Sequence, residues 1–372
     1  MHVAVVMNTA WGVKTLRSDL IRYLQSRGHR VSVVAHADAA EEGADLQRMG
    51  VTFEEWPISR SGLNPIHDGF ATLRLGLLLA RIRPEVVLSF TPKAILLCSI
   101  AARVTPRSHV FSVFTGLGYL FGDDSTLKRF ILFLFRWSLK NNPLVFFQNP
   151  DDLQQFVQGR IVPHERTSRI YGSGVDTNRF SPAPPSSHRP ETVFLMIARL
   201  IVPKGVIDYI GAAQILKREG WSARFRLLGQ FDDHPTAVDR DTIQSAIGAG
   251  TIEYCGTTAD VRPYLQDADV FVLPSYYGEG TPRSSLEALA MAKPIITTDS
   301  RGCRETVIHE SNGYLVPVQD PIAIAEAMRK LVGNRDRIQA MGAKSRQLAE
   351  ELYEVNKVHQ QLWREISRVI HP

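Results

Sequence analysis

Cysteine is scarce in this sequence, and its scarcity excludes two kinds of site. The 372 residues contain three cysteines, Cys98, Cys255 and Cys303, which are far apart and form no Cys-x-x-Cys pair. Zinc sites and disulfide frameworks need cysteines at closer or paired spacings. The sequence therefore predicts neither, and each cysteine is interpreted as a small buried hydrophobic residue.

Long apolar runs are also missing. No stretch approaches the roughly 20 apolar residues that cross a bilayer, and the opening MHVAVVM leads into a core strand rather than a charged signal-peptide start. Hydrophobic residues make up 44% of the chain and charged residues 22%, which is typical of a globular protein, and the length allows two domains. We expect a cytoplasmic protein, or one held peripherally at the inner face of the cell membrane.

Acidic residues are slightly outnumbered, and the shortfall is confined to the first half. The net charge is +5; residues 1–170 hold 20 Lys and Arg against 14 Asp and Glu, and the remainder holds 23 against 24. A basic first half indicates an anionic partner such as a membrane surface or a diphosphate. No nucleic-acid recognition motif is present, so nucleic acid is not predicted as a partner.

Residues 270–296 combine two apolar strands with a loop and a short helix. Val270–Pro274 has the pattern of a buried parallel strand, and a glycine-flanked loop follows it. A helix is predicted from Pro282 or Ser284 to the residue before Pro294, where a second strand begins. Such a unit places its loop and its helix N-terminus at the carboxyl edge of a sheet, where backbone N–H groups favour an anion such as a phosphate.

Two carboxylates, Glu279 and Glu287, lie across that loop. Glu279 is on the loop and could reach the reacting end of a ligand, whereas Glu287 is on the helix and could reach another part of the same ligand. Structural roles are equally open. Glu279 could be a solvated loop acid, and Ser284 with Glu287 could form a capping box in which the glutamate bonds back to the helix start.

Two cations, Arg199 and Lys204, stand between a predicted strand at 192–198 and a helix that carries Val206 and Tyr209. Cations at a strand end and a helix start can neutralise a diphosphate. The alternative is ordinary surface charge at a turn.

The first half begins as a β-α-β unit, which predicts a doubly wound sheet. A small loop is predicted at Gly12, which could let a phosphate or a sugar approach the backbone or could simply form a tight turn. Further strands are predicted at 84–90 and 109–114. Thr115 and Gly116 then open a glycine-rich loop suited to close contact with a sugar.

Residues 127–140, LKRFILFLFRWSLK, form an unusually basic and aromatic segment. At helical spacing Arg129, Arg136 and Lys140 fall on one stripe, while Phe130 and Trp137 lie on another side. A helix of this kind can lie in a membrane interface. The competing interpretation is a mostly buried domain helix with one solvent-exposed edge.

The stretch EGTPRSSLEALAMAKPII, which begins at Glu279, resembles the donor-site motif of the retaining glycosyltransferases of family 4. Those enzymes have the α/β fold called GT-B, in which two Rossmann-like domains face a central cleft. The resemblance implies that Glu279 lies at the donor sugar, that Glu287 holds the ribose of the sugar nucleotide, and that Arg199 and Lys204 bind its diphosphate. Further implied contacts to the sugar nucleotide are Gly12, Gly280, Thr281, Pro282 and Ser284.

Two features of the first half depart from that family. The family usually has two adjacent glycines where this chain has Trp11-Gly12, and many members have a His near the position of Thr115, which this chain lacks. Residues 59–65 and 115–119 nonetheless resemble a narrower subgroup, the bacterial N-acetylgalactosaminyltransferases that extend sugars on polyprenyl diphosphate carriers.

That subgroup implies an acceptor site in the first half. Arg60 is a candidate ligand of an acceptor diphosphate because a guanidinium binds phosphate oxygens bidentately, and a solvated loop arginine is the alternative. Thr115 and Gly116 are further candidate acceptor contacts.

The resemblance also divides the chain. We expect an acceptor-binding domain at 1–175, a nucleotide-sugar-binding domain at 176–350, and a C-terminal segment at 351–372 that crosses back to the first domain. One long helix from about residue 335 to residue 370 is predicted, with Trp363 as the anchor of that crossing.

The expected reaction is transfer of a hexose or N-acetylhexosamine, with retention, from a UDP-sugar to a polyprenyl-diphosphate-linked sugar in cell-surface glycan assembly. No cofactor and no metal are predicted, since cationic side chains occupy the diphosphate position and no Asp-x-Asp pair with a metal role is evident. The alternatives are a UDP-N-acetylglucosamine 2-epimerase, a non-catalytic nucleotide-sugar-binding protein, and a family 4 transferase with a soluble acceptor or a GDP-sugar donor.

Overall fold

The computed structural model describes residues 1–59, 64–104, 108–118, 126–182 and 190–371. The chain forms two compact units, Met1–Ser173 with Asn356–Pro372, and Gly174–Val355. The sequence-based boundaries were 175/176 and 350/351, so the structure ends the first unit two residues earlier and resumes it five residues later.

The first unit is built on a parallel β-sheet. Its described strands are β1 (His2–Thr9), β2 (Arg30–His36), β3 (Thr52–Glu55), β4 (Val86–Phe90), β5 (His109–Phe114), β6 (Leu144–Phe147) and β7 (Thr167–Arg169). They lie in the order β3-β2-β1-β4-β5-β6-β7. The central strands are runs of β-branched and aromatic residues buried on both faces, as parallel sheets covered by helices require.

Helices cover both faces of this sheet. Those of the first unit are α1 (Ala10–Ser26), α2 (Ala40–Arg48), α3 (Pro65–Ile82), α4 (Pro92–Ala101), α5 (Thr126–Ser138) and α6 (Pro150–Gln158). On one face, α1 packs over Val3 and Val5 together with Trp363 from the end of the chain. On the other face lie α3, α4 and α5.

Helix α5 contradicts one of the two sequence interpretations of its segment. The interpretation as a mostly buried helix is wrong, because Phe130, Phe133 and Trp137 are exposed along with Arg129 and Arg136. Within the described ranges, no helix is both long and apolar enough to cross a membrane.

The second unit repeats the architecture with a second parallel sheet. Its described strands are β8 (Thr192–Ile197), β9 (Ala223–Leu228), β10 (Glu253–Tyr254), β11 (Val270–Leu273), β12 (Ile295–Thr298) and β13 (Gly313–Val316). Its order is β10-β9-β8-β11-β12-β13. The helices are α7 (Val206–Arg218), α8 (Arg240–Gly248), α9 (Arg262–Asp267), α10 (Arg283–Ala290), α11 (Pro321–Arg329) and α12 (Arg335–Leu348).

The predicted single helix at 335–370 is wrong. Helix α12 ends at Leu348, a π-helical turn follows, and the last helix is α13 (Val355–Ile370). The break at Glu354 exists because the backbone there is extended and pairs in parallel with Val175, whose N–H and C=O both bond to the returning chain. The chain thus leaves the second unit beside the segment through which it came in.

Candidate functional site

The second sheet has a topological switch point between β8 and β11. These strands are neighbours, but the chain proceeds from β8 towards β9 on one side and from β11 towards β12 on the other. Ligands of open α/β sheets bind in the crevice that this reversal leaves at the carboxyl ends of the strands. The segments that follow the two strands carry the cations and the carboxylates singled out in the sequence.

Lys204 and Glu279 meet at this crevice. Lys204 ends the short 3-10 turn after β8, Glu279 lies on the loop after β11, and their side chains form an ion pair. Their exposed fractions are only 14% and 13%, and Ser275 Oγ donates to Glu279 Oε1 at 3.0 Å. The interpretation of Glu279 as a solvated loop acid is therefore wrong, because the carboxylate is shielded and held by two partners.

The turn that carries Lys204 is pressed against the end of β11. Gly205 has φ +79°, and a Cβ there would lie 2.6 Å from the carbonyl carbon of Pro274. Tyr276 N–H donates to the Pro203 carbonyl at 2.8 Å, which ties the two loops together. Only glycine fits at position 205, so the close approach of the two segments fixes the position of Lys204.

Arg199 lies at the carboxyl end of β8 on the same crevice. Its Nη1 donates to Asp232 Oδ2 at 3.0 Å. The ring of Tyr277 attracts both cations, with the Arg199 guanidinium carbon 5.5 Å and Lys204 Nζ 5.1 Å from its centroid. Both cations thus lie near a single tyrosine ring, and each is paired with a carboxylate, Asp232 or Glu279.

Helix α10 corrects one sequence interpretation. Its N-cap residue is Pro282, which has no side-chain hydrogen-bonding group, and no capping box forms. Glu287 Oε1 instead accepts from Arg283 Nε at 2.9 Å. Burial raises the pKa of the Glu287 carboxyl, while the Arg283 guanidinium opposes that rise. A carboxylate kept in a buried position by a cation is suited to accept hydrogen bonds from ligand hydroxyls.

The loop between Glu279 and α10 rests on a neighbouring turn. Gly302 has φ +73°, and a Cβ there would lie 2.8 Å from the Glu279 carbonyl carbon and overlap the carbonyl oxygens of Glu279 and Gly280. Gly280 and Thr281 are buried where this loop enters the helix, and Ser284 is half-buried in its first turn. The backbone from Gly280 to Ser284 is therefore held in place at the helix start.

In the first unit the predicted loop at Gly12 is wrong. Gly12 lies inside the first turn of α1, and its N–H donates to Thr9 Oγ1 at 3.1 Å, so Thr9 caps the helix. The sequence misplaced this residue because a glycine next to a strand resembles a turn, whereas the capping threonine starts the helix three residues earlier.

The carboxyl edge of the first sheet also has a switch point, between β1 and β4. Thr91 follows β4 with φ 68° and ψ 139°, a conformation rarely adopted by a β-branched residue, and its Oγ1 donates to Asn8 Oδ1 at 2.7 Å. Thr115 and Gly116 lie at the end of the neighbouring β5. Arg60 lies outside the described residues.

Lys93, at the start of α4, is a residue that the sequence did not single out. Its Nζ lies 2.7 Å from Asp68 Oδ1, both side chains are 12% exposed, and Ser59 Oγ accepts from the same ammonium at 2.6 Å. This buried ion pair ties the starts of α3 and α4 together at the carboxyl edge.

Sequence reasoning also missed four residues of the second-unit site. Arg283 could have been noticed, because it stands one helical turn before Glu287, and Ser275 follows a buried strand directly. Asp232 and Gly302 gave no signal, since their roles depend on contacts with distant segments. Among the described residues, no group of three or more His, Cys, Asp or Glu side chains is arranged to hold a metal ion.

Comparisons with known proteins identify the family. A model described as glycosyl transferase 4-like domain matches residues 12–172, and a model described as glycosyl transferases group 1 matches residues 191–334. The chain belongs to the family 4-like glycosyltransferases. It is an enzyme, and its two parallel α/β units have the GT-B fold predicted from the sequence.

Three proteins are similar to this chain, two in sequence and one in fold. The N,N'-diacetylbacillosaminyl-diphospho-undecaprenol alpha-1,3-N-acetylgalactosaminyltransferase of Campylobacter jejuni is 26% identical and aligns over 100% of this chain and 99% of its own. The putative glycosyltransferase EpsD of Bacillus subtilis is 27% identical over 82% of each chain. Anabaena HepE, solved in complex with UDP, is 18% identical with a TM-score of 0.80 over 99% of this chain and 100% of its own.

Proposed function

We propose that this glycosyltransferase moves a hexose or N-acetylhexosamine from a UDP-sugar to a polyprenyl-diphosphate-linked sugar, with retention, during cell-surface glycan assembly. The observation that carries the proposal is the meeting of Arg199, Lys204 and Glu279 at the β8–β11 switch point. The UDP bound by HepE and the undecaprenol-linked substrate in the name of the Campylobacter relative support the choice of donor and acceptor.

The cations would act on the leaving diphosphate. Negative charge grows on that group as the glycosidic bond breaks, and preorganised cations in a shielded site stabilise such charge in the transition state. Lys204 has three N–H donors, so it can keep its bond to Glu279 while it binds a phosphate oxygen. Arg199 and the backbone amides from Gly280 to Ser284 at the start of α10 add further donors. We propose that this arrangement needs no metal, because side chains supply the positive charge.

The two glutamates would bind different parts of the donor. Glu279, which contacts Lys204 and Ser275, would orient the sugar next to the diphosphate. Glu287 lies one helical turn into α10 and would accept hydrogen bonds from the ribose hydroxyls. Arg283 supports that role because it opposes protonation of the buried carboxyl.

The acceptor would be bound by the first unit, at the inner face of the cell membrane. Its net positive charge suits a diphosphate carrier, and Arg60, Thr115 and Gly116 are the proposed contacts. Thr115 and Gly116 lie at the carboxyl edge of the sheet, where ligands of α/β units bind.

The proposal is tested by measuring UDP release from a panel of UDP-sugars, with and without a polyprenyl-diphosphate-linked sugar, in buffer that contains a chelator. We expect one UDP-sugar to give release that depends on the lipid acceptor and persists with the chelator. The anomeric configuration of the product, measured by proton NMR coupling, tests retention.

Other outcomes would overturn parts of the proposal. An epimer formed from UDP-N-acetylglucosamine alone indicates an epimerase. Release that depends on a soluble sugar refutes the lipid acceptor, turnover of a GDP-sugar instead refutes the UDP donor, and loss of activity in chelator refutes the metal-independent site.

A further inference from the structure

Exposed apolar side chains are concentrated on two helices of the first unit. The described residues include fifteen large hydrophobic side chains that are exposed, and seven of them belong to α3 and α5. Their exposed fractions run from 44% to 88%. The seven residues are Ile66, Phe70, Leu73, Leu77, Phe130, Phe133 and Trp137.

Helix α3 is apolar on opposite sides. Ala71, Leu75 and Leu79 are buried against the sheet. At 100° per residue, the exposed stripe that runs from Ile66 to Leu77 lies on the side directly opposite these three residues. Packing within the unit explains the first stripe but not the second, and contiguous exposed apolar surface of this kind marks an interaction site.

Helix α5 shows the same arrangement with more aromatic residues. Ile131 and Phe135 are buried, whereas Phe130, Phe133 and Trp137 are exposed on the far side. Trp137 is also stacked by the guanidinium of a neighbouring arginine, 3.6 Å from its ring centroid.

The two exposed stripes point to the same side of the molecule's first sheet. The buried residues of α3 belong to the same core cluster as Val110, and the buried residues of α5 belong to the same cluster as Phe114. Val110 and Phe114 lie four positions apart on β5. Side chains four positions apart on a strand share one face. Both helices therefore lie on that face, flanking α4, and their outer stripes both point away from it.

Charge on this surface has one sign. Arg74, Arg129, Arg136 and Lys140 are exposed beside the apolar stripes. The one acidic residue in the described parts of α3 and α5, Asp68, is buried and paired with Lys93. Aromatic and aliphatic side chains bordered by arginines complement an anionic lipid surface, where rings enter the interface and guanidinium groups meet headgroup phosphates.

We propose that the outer faces of α3 and α5 form a docking surface for an anionic phospholipid membrane. This inference rests on the proposed function, since a polyprenyl carrier would reside in that membrane. The start of α3 is tied by Asp68 and Lys93 to the carboxyl edge of the sheet, so Ile66 and Phe70 lie at the end of the surface nearest the proposed acceptor site. A docked enzyme would hold that edge next to the membrane that carries the acceptor.

The test is flotation of the purified full-length protein with vesicles of phosphatidylglycerol and phosphatidylethanolamine, and with vesicles of phosphatidylcholine alone. The α3 variant combines Phe70→Ser with Leu73→Ser, and the α5 variant is Phe133→Ser. The matched control combines Ile308→Ser with Ile322→Ser, two exposed apolar residues of the second unit. All positions are exposed, and thermal unfolding and UDP binding verify that each variant is folded.

We expect the wild type and the control to float with anionic vesicles and to bind phosphatidylcholine weakly. Each large side chain removed from the interface should lower the partition coefficient about tenfold, so the α3 variant should lose about a hundredfold. Replacing Arg129 and Arg136 by Gln should lower binding to anionic vesicles only.

Three outcomes would overturn the proposal: the wild type does not float, the α3 variant floats like the control, or the wild type dimerises through this surface in the absence of vesicles. A second readout separates this inference from the proposed function. With a short-chain acceptor free in solution, the α3 variant should transfer sugar at the wild-type rate, and with the long-chain acceptor in vesicles it should be slow. If the wild type transfers to neither acceptor, the proposed function fails; if both proteins are equally fast in vesicles, only the docking surface fails.

Discussion

Gly302→Ala tests whether the turn after β12 holds the donor loop in place. The alanine would have to keep the backbone at φ +73°, which costs about 1–2 kcal/mol for a non-glycine residue. It also lies 2.8 Å from the Glu279 carbonyl carbon, so the backbone of Glu279 and Gly280 has to move. Overpacking of this kind adds about 1–3 kcal/mol of destabilisation. We therefore expect Gly302→Ala to displace Glu279, and a shift near 1 Å at the reacting group would lower kcat about 100-fold.

Gly220→Ala is the matched control for that substitution. Gly220 has φ +77°, and a Cβ there meets no atom within 4 Å, so alanine introduces the same backbone strain without a clash. Urea unfolding and kcat for UDP release are measured on both variants. Gly220→Ala should lose about 1–2 kcal/mol and keep its kcat. If Gly302→Ala behaves like Gly220→Ala in both measurements, the contact does not position Glu279.

Lys204→Ala should lower kcat/KM about 30- to 1000-fold, the effect of losing one transition-state donor. The control is Lys217→Ala, which removes an exposed lysine of α7 and should leave kcat/KM unchanged. Near-normal turnover of Lys204→Ala would refute the assignment of Lys204 to the diphosphate. Arg283→Ala should raise the pKa of Glu287 further and so raise KM for the UDP-sugar more at pH 6 than at pH 8. Arg283→Lys should stay close to wild type. If KM depends on pH identically in Arg283→Ala and wild type, Glu287 does not bind the nucleotide. Burial lowers the pKa of His359 to about 3, so the unfolded chain takes up the proton first and stability falls as the pH drops below 6.5. Between pH 7 and 5 this residue should contribute about 2 kcal/mol of destabilisation, which His359→Leu should abolish; equal losses in both proteins would contradict a neutral buried imidazole.

The strands were predictable wherever apolar residues run without interruption. His109–Phe114 has the predicted bounds, and Val270–Leu273 ends one residue before the predicted Pro274, because strands buried on both faces leave a continuous hydrophobic signal. Strand β7 (Thr167–Arg169) was not predicted, since it is short, polar and at the sheet edge. Helix α3 was also missed, because an apolar stripe on each side removes the periodicity that reveals an amphipathic helix.

The candidate site was predictable in its parts but not in its contacts. The sequence placed Lys204 and Glu279 each at the carboxyl end of a strand. Their pairing depends on β8 and β11 being neighbours, and strand order is a property of the whole sheet rather than of either segment. For the same reason Asp232 and Gly302 could not be assigned, because neither has a local pattern that points to its partner.

The two sheets have the same strand order about their switch points, yet their edges carry different sets of ion pairs. At the β8–β11 edge, Arg199 pairs with Asp232 and Lys204 pairs with Glu279, and the ring of Tyr277 lies near both cations. At the β1–β4 edge, the described cation Lys93 is matched by Asp68. Under the proposed function, the two cations of the first of these edges would stabilise a diphosphate that gains charge in the transition state. This arrangement supports the proposed binding of the leaving group by the second unit, with the acceptor bound by the first.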